Sequence, residues 1–113
     1  MENYRSGEVV LLAFPFVGTG EAKLRPALVL LDTGDDDIVV ARVTSQVART
    51  SYDIEVSDWQ QAGLMLPSVV RVHTLATLEK SLVERRLGVL TTNDWAKVWT
   101  AIQRLWATVQ SPS

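Results

Sequence analysis

The sequence contains no cysteine and a single histidine, His73. A chain without cysteine forms neither disulfides nor thiolate metal sites, and this composition fits a reducing compartment. The single imidazole disfavours a zinc site of the usual histidine-rich kind. We therefore expect a protein that works without a metal ion or another cofactor.

The chain also lacks a long apolar run, since no segment approaches the roughly 18 consecutive apolar residues of a membrane-spanning helix. The N-terminal residues MENYRSGEVV lack the apolar core of a signal peptide, so we expect a cytoplasmic protein with no membrane partner. The formal net charge of −2 gives no overall electrostatic sign of nucleic-acid binding. Basic residues nevertheless concentrate in the middle and later parts of the chain, at Arg42, Arg49, Arg71, Lys80, Arg85 and Arg86.

The 113 residues, of which 47% are hydrophobic, are enough for one domain with a real core, spanning 1–113 with a polar tail at 110–113. Most of the chain is predicted to form short strands separated by turns. SDWQQAG is predicted to form a helical turn, capped by Ser57 or Asp58 and ended by Gly63. The predicted strands are EVVLLAF, RPALVLL, IVVARVTS, SYDIEV, SVVRVHTLATL and a shorter LVERRLGVL.

From Thr91 onward, apolar residues recur at the three- and four-residue spacing of an α-helix. Thr91 or Thr92 is the predicted N-cap, and Asp94 falls in the first turn, where the helix dipole favours an anion. Strands followed by one helix predict a mainly β fold: a small, strongly bent sheet or open barrel covered by a C-terminal helix. The apolar stripe of that helix is predicted to face the core, with a partner-binding face as the alternative. Its members are Trp95, Val98, Trp99, Ile102, Leu105, Trp106 and Val109.

Strand alternation predicts which polar side chains point away from the core. In the third strand, Val39, Ala41, Val43 and Ser45 are predicted to face the core, and Val40, Arg42, Thr44 and Gln46 to face outward. In the fifth strand, Val70 and Val72 are predicted to face inward, and Arg71 and His73 outward.

Arg25 stands directly before Pro26, at the predicted entrance of the second strand. Proline restricts the preceding residue to extended geometry, so this arginine is held stiffly. If Arg25 and the outward residues converge, they form a concave site whose arginines and hydroxyls suit phosphate oxygens. The alternative is that outward arginines on half-exposed strands are simply solvated.

Three segments together resemble the MazF/PemK family of toxin endoribonucleases. They are GEVVLLAFPF, KLRPALVLL, and ARVTSQ followed by LPSVVRVHTLATLEKSLVERRLGVLT, and the resemblance runs from Gly7 to the terminal helix. It implies an SH3-like fold of the Kid/CcdB type, a homodimer, and metal-independent cleavage of single-stranded RNA by 2′-hydroxyl attack. It also implies a cognate antitoxin that occupies the RNA groove.

The resemblance also implies roles for individual residues. Arg25 matches the arginine of the family's RP motif, Thr44 the threonine of its T-S/A-Q motif, and Arg71 the arginine of VVR. His73 stands where PemK-like members usually have aspartate, and it becomes the candidate general base. The loop from Val17 to Leu24 corresponds to a segment over the site. The implied RNA-binding residues are Ser45, Gln46, Arg42, Phe16 and Lys23.

Two other functions stay open at this point. A gyrase inhibitor of the CcdB type shares the fold without cleaving RNA, but it depends on apolar residues at the C-terminus, where this chain reads VQSPS. A catalytically impaired family member, altered at His73, would bind only RNA or a partner. Cleavage of single-stranded RNA in EDTA, with a parallel gyrase assay, separates the three.

Overall fold

The computed structural model of the protein describes residues 2–15 and 22–110. The described part forms one antiparallel sheet and a C-terminal helix, with a short 3₁₀ turn at Lys80–Leu82. The sheet order is β4-β5-β3-β2-β1-β6, and no pairing between β4 and β6 closes it within the described residues. The elements are β1 (Glu8–Pro15), β2 (Ala22–Asp32), β3 (Asp37–Thr44), β4 (Asp53–Val56), β5 (Ser68–Glu79), β6 (Val83–Val89) and α1 (Thr92–Gln110). The predicted bent sheet with a terminal helix is confirmed.

β2 lies in the middle of the sheet, as its uniformly apolar sequence predicts. Ala27, Leu28 and Val29 are all completely buried, and β2 pairs with β1 on one side and β3 on the other. The strand begins at Ala22, so Arg25 lies inside it. The prediction that Arg25 stands at the entrance of the strand is therefore wrong. Pro26, opposite Leu11 of β1, is tolerated within the ladder although proline cannot donate a hydrogen bond there.

The sheet bends strongly enough to bury both of its faces. Register shifts interrupt the pairing of β1 with β6, β2 with β3, and β3 with β5, and such bulges increase bending and twist. One core, beneath α1, includes Val9, Leu28, Val43, Val70 and Val72, and the other includes Val10, Leu12, Ala27, Ile38 and Val40.

The outward orientation predicted for Val40 is therefore wrong, because the curled sheet covers that face as well and leaves this side chain 1% exposed. Only farther along the same face does β3 become accessible, at Arg42. Ser45 was predicted to face the core, but β3 ends at Thr44 and Ser45 is exposed.

Helix α1 begins as predicted, with the Thr91 hydroxyl accepting the Asp94 N–H at 3.3 Å. Its packing against the core comes mainly from residues 95–102, where Val98 and Ala101 are buried and Trp95 and Ile102 pack against the core. Trp99, Trp106 and Val109 are 51%, 61% and 66% exposed, so their predicted core position is wrong. Trp99 projects from the outer side of the helix between the buried Val98 and Ala101, whereas Trp106 and Val109 lie beyond the residues that pack against the core. The apolar stripe read from sequence does not show how far that packing extends. None of the described helices is long and apolar enough to cross a membrane.

Two tryptophans of α1 allow a matched test of this packing. We expect Trp95→Ala to lower the free energy of unfolding by about 3 kcal/mol, because it empties a packed site. Trp106→Ala should cost less than about 1 kcal/mol, because that ring is largely exposed. Chemical denaturation of both variants measures the difference, and equal losses would contradict the packing described here.

Candidate functional site

A groove of about 530 Å³ opens where β2 and β3 approach the loop before β5. We call it the Arg25 groove and define it by Arg25, Arg42, Thr44, Ser45 and Gln46 on one side and by Leu64, Met65 and Leu66 on the other. Arg85 of β6 also lines it. The groove thus combines a polar, cationic side with an apolar side.

The cationic side follows from strand register. Ala27 of β2 lies opposite Arg42 of β3, and extending that register sets Arg25 opposite Thr44. Directly opposed residues of antiparallel strands share one face, with their Cβ atoms about 5 Å apart. Arg25, Arg42 and Thr44 therefore project from the same face. The Nη1 of Arg25 donates to the neighbouring Leu24 carbonyl at 3.3 Å, and the side chain is exposed.

A second, smaller cavity of about 300 Å³ lies on the other side of the same arginines. It is lined by Arg25, Arg42, Phe14, Val40, Thr74, Leu75 and Ala76. Because Arg25 and Arg42 line both concavities, they form the ridge between them. The charged ridge therefore lies between two partly apolar concavities. A ligand with regularly spaced anionic groups and planar apolar parts fits such a surface.

Arg71 joins this face from β5, where it pairs directly with Arg42. It does not line the Arg25 groove, because its guanidinium turns to the opposite neighbour, Asp53 of β4. The Nε of Arg71 lies 3.5 Å from Oδ1 of Asp53. His73 turns to the same carboxylate, with Nδ1 4.0 Å from Oδ1. The predicted catalytic residues thus form two neighbouring groups, one in the groove and one around Asp53.

Sequence reasoning missed Asp53. Its carboxyl is 1% exposed, and Oδ2 accepts the backbone N–H groups of Arg49 at 2.7 Å and Thr50 at 3.1 Å. Burial alone would raise the pKa of Asp53, but these two hydrogen bonds and the charges of Arg71 and His73 outweigh it and lower that pKa. Asp53 is therefore an anion at neutral pH. No sequence motif marks it, since its place depends on the β4–β5 register.

Lys23 and Phe16 are the two remaining predicted RNA-binding residues. Lys23 is exposed on β2, opposite Phe14 of β1. Phe16 and most of the predicted loop from Val17 to Leu24 lie outside the described residues. Within residues 2–15 and 22–110, no group of three or more histidine, aspartate or glutamate side chains is arranged to hold a metal ion.

The apolar side of the groove is held in place by Asp94 of α1. This buried carboxylate accepts the backbone N–H groups of Ser57 at 3.1 Å and Asp58 at 2.9 Å, and it pairs with Lys97 at 3.0 Å. The helical turn predicted for SDWQQAG is present after β4. Asp94 caps it, and not Ser57 or Asp58 as predicted. The turn ends at Gly63, where φ is +82° and an added Cβ would lie 2.0 Å from the Leu87 carbonyl oxygen.

The fold and the groove define a class: a small bent sheet with one terminal helix and a cationic groove at its open side. The family described as PemK-like, MazF-like toxins of type II toxin-antitoxin systems matches residues 5–106. The chain belongs to this family.

Solved structures share the fold. A mycobacterial endoribonuclease superposes with a TM-score of 0.75 at 18% identity, covering 95% of this chain and 94% of that one. The Mycobacterium tuberculosis toxin MazF-mt6 gives 0.73 at 21% identity, over 88% and 96% of the two chains. MazF from Deinococcus radiodurans gives 0.73 at 21% identity, over 95% and 99%. No curated protein matches the sequence significantly.

The capping role of Asp94 can be tested by its effect on stability against pH. Burial raises the pKa of Asp94, but the Asp58 N–H, Lys97 and the Ser57 N–H together lower it below its ordinary value. A lowered folded-state pKa adds stability above the unfolded value of about 4, and that stability is lost as the pH falls below it. We expect Asp94→Asn to lower the free energy of unfolding by about 1–3 kcal/mol at pH 7.

The loss should shrink as the pH falls below about 4, because the wild-type carboxyl then takes up its proton. Denaturant titrations at several pH values measure it. Asp36→Asn, at an exposed position of the turn between β2 and β3, is the control for removing a carboxylate. A loss for Asp94→Asn that stays constant down to low pH would contradict the charged capping role.

Proposed function

We propose that this protein is the toxin of a type II toxin-antitoxin system and an endoribonuclease that cleaves single-stranded RNA without a metal ion. The observation that carries the proposal is the convergence of Arg25, Arg42 and Thr44 on one side of the Arg25 groove, in a chain of this toxin family. The mycobacterial and Deinococcus neighbours that are named as endoribonuclease or MazF support it.

The chemistry of these side chains suits a phosphate in the groove. A guanidinium offers several N–H donors in a fixed fork, which matches phosphate oxygens and stabilises charge that develops on them. Arg25 and Thr44 are the proposed donors to the phosphorane, and Arg42 and Lys23 bind neighbouring phosphates. Ser45 and Gln46, also on the polar side, are proposed to contact the RNA chain. A local cationic face on a protein of net charge −2 concentrates the attraction at this groove.

The proposed reaction begins with attack of a ribose 2′-oxygen on the adjacent phosphorus. The P–O5′ bond breaks, leaving a 2′,3′-cyclic phosphate and a 5′-hydroxyl. His73 accepts the proton of the 2′-hydroxyl, and Arg71 contacts the phosphate and the leaving 5′-oxygen. The 5′-oxygen takes up a proton from water. A nucleophile that belongs to the substrate requires RNA and excludes DNA.

We also propose that a protein partner binds the same groove. Met65 is 89% exposed, Leu66 58% and Leu24 49%, so the apolar rim is available to a protein ligand. One structural neighbour is an endoribonuclease in complex with its cognate antitoxin, with a TM-score of 0.71 at 20% identity. We infer that a cognate antitoxin covers the Arg25 groove and thereby excludes RNA. We propose that the toxin meets its RNA substrate in the cytoplasm.

The central prediction concerns two donors of the groove. Arg25→Ala and Thr44→Ala should each slow RNA cleavage by about 10²-fold or more, the effect of removing one transition-state donor. Both should fold, since neither side chain belongs to the core clusters. The assay follows single-stranded RNA in EDTA and identifies the cyclic phosphate by mass spectrometry, with gyrase inhibition measured in parallel.

Arg5→Ala, which removes an exposed arginine outside the Arg25 groove, serves as the charge-matched control and should cleave normally. Cleavage by Arg25→Ala at the wild-type rate would remove the proposed role of the groove. Gyrase inhibition without cleavage would favour the CcdB-type alternative.

We also expect a homodimer. Membership of the PemK-like, MazF-like family supports this, and large apolar side chains remain exposed outside the groove for a second copy to cover, among them Leu31, Leu75, Trp99 and Trp106. Light scattering at micromolar concentration should give twice the mass of the chain. A monomer that still cleaves RNA would show that one chain holds the complete site.

A further inference from the structure

The proposed reaction leaves one buried charge without a role, the carboxylate of Asp53 at the start of β4. Its two oxygens are used differently. Oδ2 is saturated by the N–H groups of Arg49 and Thr50, which fix the orientation of the carboxylate plane. Oδ1 is buried and lacks a hydrogen-bond partner, as does Nε of Arg71.

Buried polar atoms without partners are rare in folded proteins and call for an explanation. Here both orphaned atoms face one another at 3.5 Å, slightly beyond hydrogen-bonding distance, and Nδ1 of His73 lies 4.0 Å from the same oxygen. Catalytic hydrogen bonds are often long in unliganded proteins and tighten when the substrate binds. Oδ1 is thus an acceptor held in place for two donors of β5.

We propose that Asp53 is a positioning residue that holds the imidazole of His73 with Nδ1–H toward Oδ1 and Nε2 free to face the RNA. The catalytic consequence rests on the proposed function, whereas the tautomer is a property of the protein alone. The same carboxylate holds Arg71 against the sheet.

The surroundings of His73 support this orientation. Its ring lies beside that of Tyr52, with centroids 5.9 Å apart and planes tilted by 46°. Tyr52 is itself held by a 3.3 Å hydroxyl contact with Thr108 and by the Arg104 guanidinium, 5.5 Å from its ring centre. The imidazole is confined between a carboxylate and an aromatic wall, and the exposed third of its side chain, 33%, is the part a substrate can reach.

The charges around the imidazole also favour a proton acceptor. The facing charged groups are Asp53 of β4, Arg71 of β5 and, behind Tyr52, Arg104 of α1. The guanidinium of Arg49 turns away to Gln46. With its lowered pKa, Asp53 remains an anion wherever histidines titrate, so an imidazolium formed by proton abstraction has an anion beside it.

Asp53 also relieves a repulsion that the site creates. Arg42 and Arg71 are directly opposite on neighbouring strands, and like charges so placed destabilise a sheet. Asp53 lies directly opposite Arg71 on its other side. The carboxylate thus allows two arginines to stand side by side, one in the groove and one beside the candidate base.

The first test reads the His73 tautomer by NMR without any RNA. As the chain has one histidine, its imidazole nitrogens give a single set of signals. At a pH where the ring is neutral, we expect the Nδ1–H form in the wild type. In Asp53→Asn the Arg49 and Thr50 N–H groups hold the amide oxygen, so the amide NH₂ faces Nδ1 and selects the Nε2–H form. If His73 of the wild type carries its proton on Nε2, the proposal is wrong. This result does not depend on whether Asp53→Asn folds.

The second test measures RNA cleavage. Asp53→Asn should lower kcat about tenfold or more with little change in KM. In a His73→Gln background the same change should have little further effect, because Asp53 acts through His73. Glu55→Gln, an exposed carboxylate on the same face of β4, is the matched control and should cleave normally. Thermal denaturation of each variant shows whether Asp53→Asn only destabilises the protein. A loss of activity caused by lower stability would appear equally in the wild-type and His73→Gln backgrounds.

The two hypotheses fail in different ways. A wild type that cleaves RNA, with tautomer and kcat unchanged in Asp53→Asn, overturns the role of Asp53 and leaves the proposed function intact. An Nδ1–H wild type that does not cleave RNA overturns the proposed function and leaves the contact between Asp53 and His73 standing.

Discussion

The irregular pairing of β5 with β3 is the constraint on which the rest of the structure depends. Ala41 pairs with Leu75, but its neighbour Arg42 pairs with Arg71, so residues 72–74 are taken up in a bulge. Bulges bend a strand and re-aim side chains, and they occur next to active sites. Here the bulge contains His73. The bulge also divides β5 into two halves. Residues 68–71 pair with β4, and the second half packs Ala76 and Leu78 against the core that contains Val40.

The basic residues divide into two kinds according to what they face. Lys80 is buried in a 2.9 Å pair with Asp32, whose pKa is lowered to about 2 mainly by the Tyr4 N–H and by Lys80 itself. Arg86 pairs with Glu8 at 3.0 Å and lies over the Tyr4 ring. These cations tie the N-terminal segment to the sheet. Arg25 and Arg42 instead face the groove, which explains how a protein of slightly negative net charge offers a cationic surface.

The groove joins two kinds of surface, one cationic and one apolar. Its arginines suit phosphates, and its exposed Met65 and Leu66 suit apolar side chains of a protein. Asp94 fixes the second side to α1 through the turn that starts at Ser57. The terminal helix therefore shapes the groove without lining it.

Local pattern was enough to predict the strands, the central place of β2, a helix cap at Thr91 or Thr92 and the outward orientation of Arg42 and Thr44. These features depend on side-chain period, on turn chemistry, and on neighbours in one strand or one hairpin. The motif resemblance added the family, because the order and spacing of its segments survive where overall identity is low.

Only the tertiary structure decided the burial of Val40, the exposure of Trp99 and Trp106, and the contacts of Asp53 and Asp94. Val40 is buried because the sheet curls. Trp99 is exposed because it projects from the outer side of the packed part of the helix, and Trp106 because it lies beyond that part. Asp53 meets Arg71 and His73 through the register of β4 on β5, and Asp94 meets the Ser57 turn across the fold. Each depends on which distant segments come together, and periodicity within one segment carries no information about its distant neighbours.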